Sequence, residues 1–185
     1  MTLRWWLNLL VSWNGVSLYN YPRFALPADI QLASDAAGKH GLGITYDTEW
    51  IALKWPQNAP SNIAVLELIP IVLAAEIWGH RWSGLAVEFL TDNEAVAFSA
   101  SSLLPQDKHL AALIRRMATI AITNHFAFKV SHIPGSTNTL ADMLSRGQIE
   151  QFKRARPDVA ALQTPVPDNL LQELLVPPKL TPPPK

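Results

Sequence analysis

The sequence predicts an α/β fold: a five-stranded mixed sheet, three antiparallel strands followed by two parallel ones, with helices on both faces. The first part of this region contains short apolar runs separated by turn residues, as in antiparallel strands. The second part alternates such runs with segments whose apolar residues recur every three to four positions, as in helices. A strand that returns through a helix to another strand implies a right-handed crossover and parallel pairing.

Composition limits the domain count and the chemistry. The chain has 185 residues, 49% hydrophobic and 16% charged, which allows one sizeable core. Lys and Arg total 15, as do Asp and Glu, so no broad basic surface indicates a nucleic-acid partner. The absence of cysteine excludes disulfides, thiolate catalysis and cysteine zinc sites.

Residues 1–28 are expected to form an amphipathic arm that connects the domain to whatever precedes it. Asn14-Gly15 would end its helix. The arm lacks a basic start and a small-residue cleavage site, so no signal peptide is expected and a cytoplasmic or nuclear location is favoured over secretion. The apolar residues at helical spacing are Trp5, Trp6, Leu9, Leu10 and Trp13.

The domain proper is expected over residues 29–147. Its first three strands are predicted over 30–36, 41–46 and 50–55, joined by short turns. The later elements predicted are a helix over 64–79 closed by Gly79, with Pro70 allowed only near its first turns, a strand over 86–91, helices over 93–102 and 107–123, a strand around Phe126, Phe128 and Val130, and a helix capped by Asn138 that ends near 146.

Composition indicates the nature of two further segments. The stretch 63–78 is apolar but is interrupted by Glu67, Pro70 and Glu76, so no membrane span is expected. Residues 148–185 carry 8 of the 15 prolines, which favours an extended linker. Short apolar docking within that linker is possible at Leu170, Leu171, Leu174 and Leu175.

Four carboxylates occupy positions that this topology could bring together: Asp35, Glu67, Asp92 and Asp142. Any one of them could be a helix cap, a turn residue or a solvated edge. Acids in apolar strands are costly unless compensated, and a cluster of like charges repels. Oxygen ligands without His or Cys favour Mg²⁺, with Mn²⁺ as a substitute. Two such ions about 4 Å apart can support phosphodiester hydrolysis.

The segments around these acids resemble the four catalytic segments of type 1 ribonucleases H. They are Ser34-Asp35-Ala36-Ala37-Gly38, Glu67-Leu68, Leu90-Thr91-Asp92-Asn93, and the run from His132 to Arg146 that contains Ala141-Asp142 and Ser145-Arg146. The likeness spans residues 30–147 and is greatest to LTR-type and DIRS-like retrotransposons. The tryptophan-rich arm also resembles the segment that follows the polymerase in DIRS-like elements.

This resemblance implies a ribonuclease H-like fold and hydrolysis of the RNA strand of an RNA–DNA hybrid by two Mg²⁺ ions. Asp35, Glu67, Asp92 and Asp142 would be the catalytic metal ligands. His132 would assist leaving-group protonation or product release, although it could simply end a strand. The residues implied to bind the hybrid are Ala36, Gly38 and Asn93, through their main chain, and Arg115 and Arg116, for which a solvated helix surface is the alternative.

The resemblance also implies partners within a polyprotein. Only residues 103–106 separate the two middle helices, so the basic handle of cellular relatives is missing. An upstream reverse transcriptase domain would then provide the contacts that bind the hybrid. A recombinase or integrase region would follow downstream. Other readings remain open: an integrase-like nuclease, an inactive connection module, or an interaction protein organised around its proline-rich tail.

Overall fold

The computed structural model describes residues 27–30, 32–102 and 107–176, together with Leu3, Trp6, Leu7, Leu10 and Val11. Its helices and strands are, in chain order, α1 (Pro27–Ile30), β1 (Leu32–Ala37), β2 (Gly41–Tyr46), β3 (Glu49–Lys54), α2 (Ile63–Trp78), β4 (Ala86–Thr91), α3 (Glu94–Ser102), α4 (Lys108–Thr123), β5 (Ala127–His132), α5 (Thr139–Ser145), α6 (Ile149–Ala155) and α7 (Leu170–Leu175). Single 3₁₀ turns follow α2 and precede α5.

The strands form the predicted antiparallel and parallel groups. β1, β2 and β3 make an antiparallel meander, with Asp35 opposite Gly43 and Thr45 opposite Trp50. β4 and β5 pair in parallel through the α3–α4 crossover. A cavity of about 250 Å³ lies between β1 and β4, lined by residues of both strands and of the 133–138 loop. The predicted mixed α/β architecture and its element order are confirmed. Among the described residues, however, the strands pair as two sheets, β1-β2-β3 and β4-β5, and not as the single five-stranded sheet that was expected.

Side-chain alternation along the strands builds a core on each face of the antiparallel sheet. Leu42 and Ile44 of β2 face the larger core, which α2, α3 and α4 complete. Trp50 of β3 faces a smaller core with Leu144 of α5 and Phe152 of α6. The predicted placement of helices on both faces is therefore confirmed.

Helix α2 is the centre of the larger core. Asn62 caps its start, since the Asn62 side chain accepts a hydrogen bond from the Ala64 amide at 3.0 Å. By length and composition, residues 63–81 could span a membrane, but 72% of the most apolar window is buried inside the protein, as in a core helix. Pro70 is buried in the helix interior, where the loss of one backbone donor is tolerated, so its expected placement in the first turns was wrong.

Gly79 ends α2 as predicted, but for a reason the sequence did not indicate. Its φ of −54° is ordinary right-handed geometry, so no left-handed cap is needed. A Cβ at this position would lie 3.2 Å from the Phe126 ring and 3.3 Å from Ile120. The small residue thus permits close packing of the helix end against α4 and β5.

Residues 148–176, expected to be an extended linker, fold against the domain. Phe152 of α6 is fully buried beside Trp50. The following segment hydrogen-bonds to β3 and to the turn before it, with Ala160 N donating to Thr48 O and Thr164 N donating to Trp50 O, both at 2.8 Å. Prolines allow this pairing because neighbouring residues supply the donors that prolines lack.

Helix α7 continues this packing on the larger core. Three of the leucines suggested for docking, Leu170, Leu174 and Leu175, are buried there, and Leu171 is partly buried. The buried His109 ring on α4 lies 2.7 Å, through Nε2, from the carbonyl oxygen of Leu174. Residues 177–185 of the expected linker lie outside the described residues.

The described positions of the arm are helical and exposed. Trp6 and Leu10 are among them. The other three apolar residues predicted at helical spacing, Trp5, Leu9 and Trp13, lie outside the described residues, as does the Asn14-Gly15 turn.

Candidate active site

Three of the four predicted acids converge in one pocket. Asp35 is the fourth residue of β1, Glu67 lies in the second turn of α2, and Asp92 directly follows β4. Each offers one carboxylate oxygen, and these three oxygens lie within 4.8 Å of one another. The topology achieves this because β1 contacts both β4 and α2.

The electrostatics of this cluster favour a bound cation. Burial raises the pKa of Glu67 to about 8, and the nearby charges of Asp35 and Asp92 add to the effect. Burial also raises the pKa of Asp35; a hydrogen bond from Ser145 opposes this, while the Asp142 and Asp92 charges reinforce it. The carboxylate-only donor set suits a hard divalent cation, which would neutralise this repulsion.

Asp142 lies beside the cluster and outside it. It is the fourth residue of α5, its side chain is 40% exposed, and Arg146 Nε donates to its Oδ1 at 2.7 Å. Its charge still raises the pKa of Asp35, which shows that the two carboxylates lie close to each other. Of the predicted ligands, Asp142 is therefore the one that is paired with a cation from its own helix.

Helix α5 is tied to β1 at both ends. Ser145 Oγ donates to Asp35 Oδ2 at 2.6 Å, and Asn138 Nδ2 donates to the Ser34 carbonyl oxygen at 2.7 Å. Asn138 occupies the predicted N-cap position, but its side chain makes no capping hydrogen bond to the helix. The expected cap is therefore wrong in its mechanism: the amide is used to hold β1.

His132 ends β5 in parallel register with Thr91, immediately before Asp92. Its exposed ring approaches the Asp92 carbonyl oxygen, with Nε2 at 3.2 Å. Gly135 in the loop that follows also lies against Asp92, because a Cβ there would be 2.7 Å from Asp92 Oδ2. The loop after β5 thus forms one wall of the pocket.

The main-chain candidates for substrate contact flank the pocket. Ala36 is buried in β1, while Gly38 lies in the exposed turn after it. The Asn93 side chain caps α3, accepting from the Val96 amide at 3.2 Å. The Asn93 main chain is also hydrogen-bonded within the fold, since its amide donates to Thr91 Oγ1 at 3.2 Å and its carbonyl oxygen accepts from Val96 and Ala97. The main-chain contact with substrate stays a prediction.

The two arginines predicted to bind the hybrid differ in their surroundings. Arg116 forms ion pairs with Glu76 of α2 and Glu173 of α7, joining three helices. These ion pairs engage the Arg116 guanidinium within the fold, and its contact with the hybrid stays a prediction. Arg115, on the same helix, is half-buried, and its role stays a prediction.

Sequence reasoning missed three residues that shape the pocket: Gly43, Gly135 and Ser145. A Cβ on Gly43 would lie 2.4 Å from the Ala141 carbonyl oxygen and 2.5 Å from the Ser145 amide nitrogen. Ser145 was part of the quoted motif without a role. An isolated glycine inside a strand pattern signals close backbone approach, which was the available clue for Gly43.

The fold and the site define an α/β protein with a carboxylate cluster suited to divalent cations. No protein-family model and no curated protein matches the chain. Solved structures that match include RNase H1 from the halophilic archaeon Halobacterium salinarum, with 14% identity and a TM-score of 0.48 over 65% of this chain and 95% of that one.

Two further matches are the N-terminal RNase H domain of a Mycobacterium tuberculosis protein, solved as a maltose-binding-protein fusion, and LC11-RNase H1 from a compost metagenome, solved with an RNA/DNA hybrid. The first has 14% identity and a TM-score of 0.43 over 67% of this chain and 94% of that one. The second has 19% identity and a TM-score of 0.44 over 65% and 94%.

Proposed function

We propose that this protein hydrolyses the RNA strand of RNA–DNA hybrids with the help of two divalent metal ions. The observation that carries the proposal is the convergence of Asp35, Glu67 and Asp92, whose ligand oxygens lie within 4.8 Å of one another. Three acids from separate elements, two of them with raised pKa values, form an arrangement that is costly without a cation. A purely structural module has no need of it.

Mg²⁺ is the expected metal, with Mn²⁺ as a substitute, because only carboxylates supply ligands. Asp35, Glu67 and Asp92 would hold the ions, and Asp142 would complete the set. When bound, such a pair supplies an activated water and stabilises the leaving oxygen of a phosphodiester. In the metal-free fold, the Asp142 carboxylate forms an ion pair with Arg146.

The remaining predicted residues serve the substrate in this proposal. His132, exposed beside Asp92, would give a proton to the leaving oxygen or assist product release. Main-chain groups at Ala36, Gly38 and Asn93 would contact the ribose 2′-hydroxyl, which distinguishes RNA from DNA. Arg115 would contact a phosphate.

The chain would act within a retroelement polyprotein in the cytoplasm or nucleus. The exposed apolar residues of the arm, such as Leu7 and Leu10, agree with docking on an upstream reverse transcriptase domain. A recombinase or integrase region would follow. The zero net charge of the chain is consistent with a partner that supplies most of the grip on the hybrid.

Cleavage assays test the proposal directly. The purified chain is incubated with labelled RNA–DNA hybrid, RNA duplex or DNA duplex, in Mg²⁺, Mn²⁺ or EDTA. We expect cleavage of the hybrid alone, dependent on metal, and loss of cleavage in Asp92→Asn. Asp168→Asn, an exposed acid far from the cluster in sequence, is the matched control and should cut like the parent.

The possible results of these assays distinguish the proposed nuclease from the alternative functions. Persistent cleavage by a folded Asp92→Asn variant would show that the metal assignment is wrong. Cleavage only after fusion to the upstream domain would assign hybrid grip to that partner. A chain that binds no metal and cuts no hybrid, alone or fused, would be an inactive connection module.

A further inference from the structure

Helix α5 approaches the backbone of β2 more closely than any side chain there would allow. Gly43, the cross-strand partner of Asp35, has no Cβ, and the space that one would fill is taken by α5 main-chain atoms. Side chains opposite each other on one sheet face point the same way. The surface that receives α5 is therefore also the surface from which the Asp35 side chain projects.

This approach brings the Ser145 hydroxyl to the Asp35 carboxylate. The Ser145 side chain is almost fully buried, and its single proton has two acceptors in reach: Asp35 Oδ2 at 2.6 Å and the Asp142 carbonyl oxygen at 2.9 Å. The carboxylate is nearer and charged, so it takes the stronger bond. Because the Ser145 hydroxyl belongs to a residue of helix α5, its position is fixed, and the hydrogen bond restricts rotation of the Asp35 carboxylate.

A second tether keeps the helix in register. The Asn138 amide donates to the carbonyl of Ser34, the residue before Asp35. With contacts at both ends of α5, the helix can neither slide along β1 nor tilt away from it without breaking one of them. The orientation of Asp35 thus depends on how α5 sits on the sheet.

We propose that Ser145 is a positioning residue of the candidate metal site, which holds the Asp35 carboxylate in its ligand orientation, and that Gly43 permits this by letting α5 reach the sheet. The inference rests on the proposed metal-dependent function and adds to it two residues that do not themselves bind metal. Groups that hydrogen-bond to a ligating carboxylate commonly change metal affinity about 10- to 100-fold when removed.

The test measures metal binding apart from catalysis. Mg²⁺ is titrated calorimetrically into the metal-free full-length chain, and urea unfolding is followed in EDTA for the same proteins. Ser145→Ala should raise the Kd for Mg²⁺ about 10-fold. Thr119→Ala, which removes an exposed helix hydroxyl bonded to the Arg115 carbonyl, is the matched control and should bind Mg²⁺ like the parent.

Gly43→Ala is the second variant. Its Cβ would displace α5, so its Kd for Mg²⁺ should rise at least as much as that of Ser145→Ala. In hybrid cleavage, Ser145→Ala should lower kcat and leave KM for the hybrid unchanged, because the serine orients a ligand and does not touch the nucleic acid. If Gly43→Ala fails to fold, the Mg²⁺ titration of Ser145→Ala alone tests the inference.

Each result has a defined meaning. A Ser145→Ala protein that is less stable in EDTA yet keeps the parental Kd would overturn the inference and leave the proposed function standing. Metal binding that changes as expected in a chain that cuts no hybrid, alone or fused to the upstream domain, would refute the proposed function and support the inference. A parent that binds no Mg²⁺ would overturn both.

Discussion

Glu67 lies on helix α2 and Asp35 on strand β1, yet their ligand oxygens lie within 4.8 Å of each other. Burial is the largest cause of the raised pKa of each carboxyl group. Ionisation of these carboxyl groups in the metal-free site therefore lowers the stability of the folded protein. This relation links site chemistry to the stability of the whole protein.

The stability of the metal-free protein should fall between pH 4.5 and pH 8 because of Glu67. Its pKa is about 8 in the folded state and ordinarily 4.5, so the folded state binds more protons in this window. The contribution of Glu67 to stability is then fully present below pH 4.5 and is lost as pH rises through 8, by a few kcal/mol as an order of magnitude. Urea unfolding in EDTA at pH 5, 6.5 and 8 measures the slope.

Glu67→Gln is the matching variant and should flatten this slope, with a residual part due to Asp35. Glu88 and Asp107 have lowered pKa values, so their linkage acts only as pH falls below their ordinary range and leaves this window unaffected. An equally steep slope in Glu67→Gln would contradict the assignment of the pH dependence to this group.

Magnesium should stabilise the folded chain, because the ligand oxygens converge only in the folded state. At a free Mg²⁺ concentration of about 100 times Kd, the free energy of unfolding should rise by about 2.7 kcal/mol. Asp92→Asn should lose most of this gain, and Asp168→Asn should keep it. Thermal unfolding with and without Mg²⁺ checks the prediction; equal gains in both variants would place the metal elsewhere.

Much of the site could be predicted because it depends on the order of strands and helices along the chain. Asp35, Glu67 and Asp92 follow from a strand, helix and strand order whose crossovers have one allowed hand. The bounds of short strands with a clear apolar pattern, such as β2 and β4, could be predicted to within a residue or two. Topology alone therefore brought these three acids together.

What was missed depends on tertiary contact. The roles of Gly43 and Ser145 arise where a helix meets a strand about 100 residues away, and no local pattern specifies that distance. The proline-rich composition after residue 147 suggested a linker because proline lacks a donor. Packing of Phe152 and the hydrogen bond of Ala160 to Thr48 outweigh that local tendency.

Phe152 should anchor the segment 148–176 to the domain. Its side chain is 0% exposed and packs against Trp50 and Leu144. Phe152→Ala should lower the free energy of unfolding by about 3–5 kcal/mol, through lost burial and the cavity left behind. Leu162→Ala lies in the same segment, but Leu162 is 82% exposed, so its effect should stay within about 0.5 kcal/mol.

Urea unfolding followed by circular dichroism distinguishes these two variants. A chain that ends at residue 147 should be less stable than one that ends at 176, by at least as much as Phe152→Ala is less stable than the parent. Equal stability of the 147 and 176 truncations would show that the segment contributes nothing to the fold.

Arg146 should compete with metal for Asp142. The Arg146 guanidinium donates to the Asp142 carboxylate at 2.7 Å and lowers the pKa of Asp35, so its positive charge acts on both predicted ligands. Arg146→Gln frees Asp142 and removes a cation beside the site, and it should strengthen Mg²⁺ binding several-fold. Since the pair is an exposed i,i+4 pair, stability should change by no more than about 0.5 kcal/mol.

Mg²⁺ titration of three further variants completes this comparison. Asp142→Asn should weaken binding less than Asp92→Asn, because Asp142 lies outside the converged cluster and is already paired. Arg154→Gln removes an exposed arginine on α6 and should leave the Kd unchanged. If Arg146→Gln binds Mg²⁺ more weakly than the parent, the guanidinium supports the ligand geometry of Asp142 instead of opposing the metal, and the competition assigned to this ion pair is wrong.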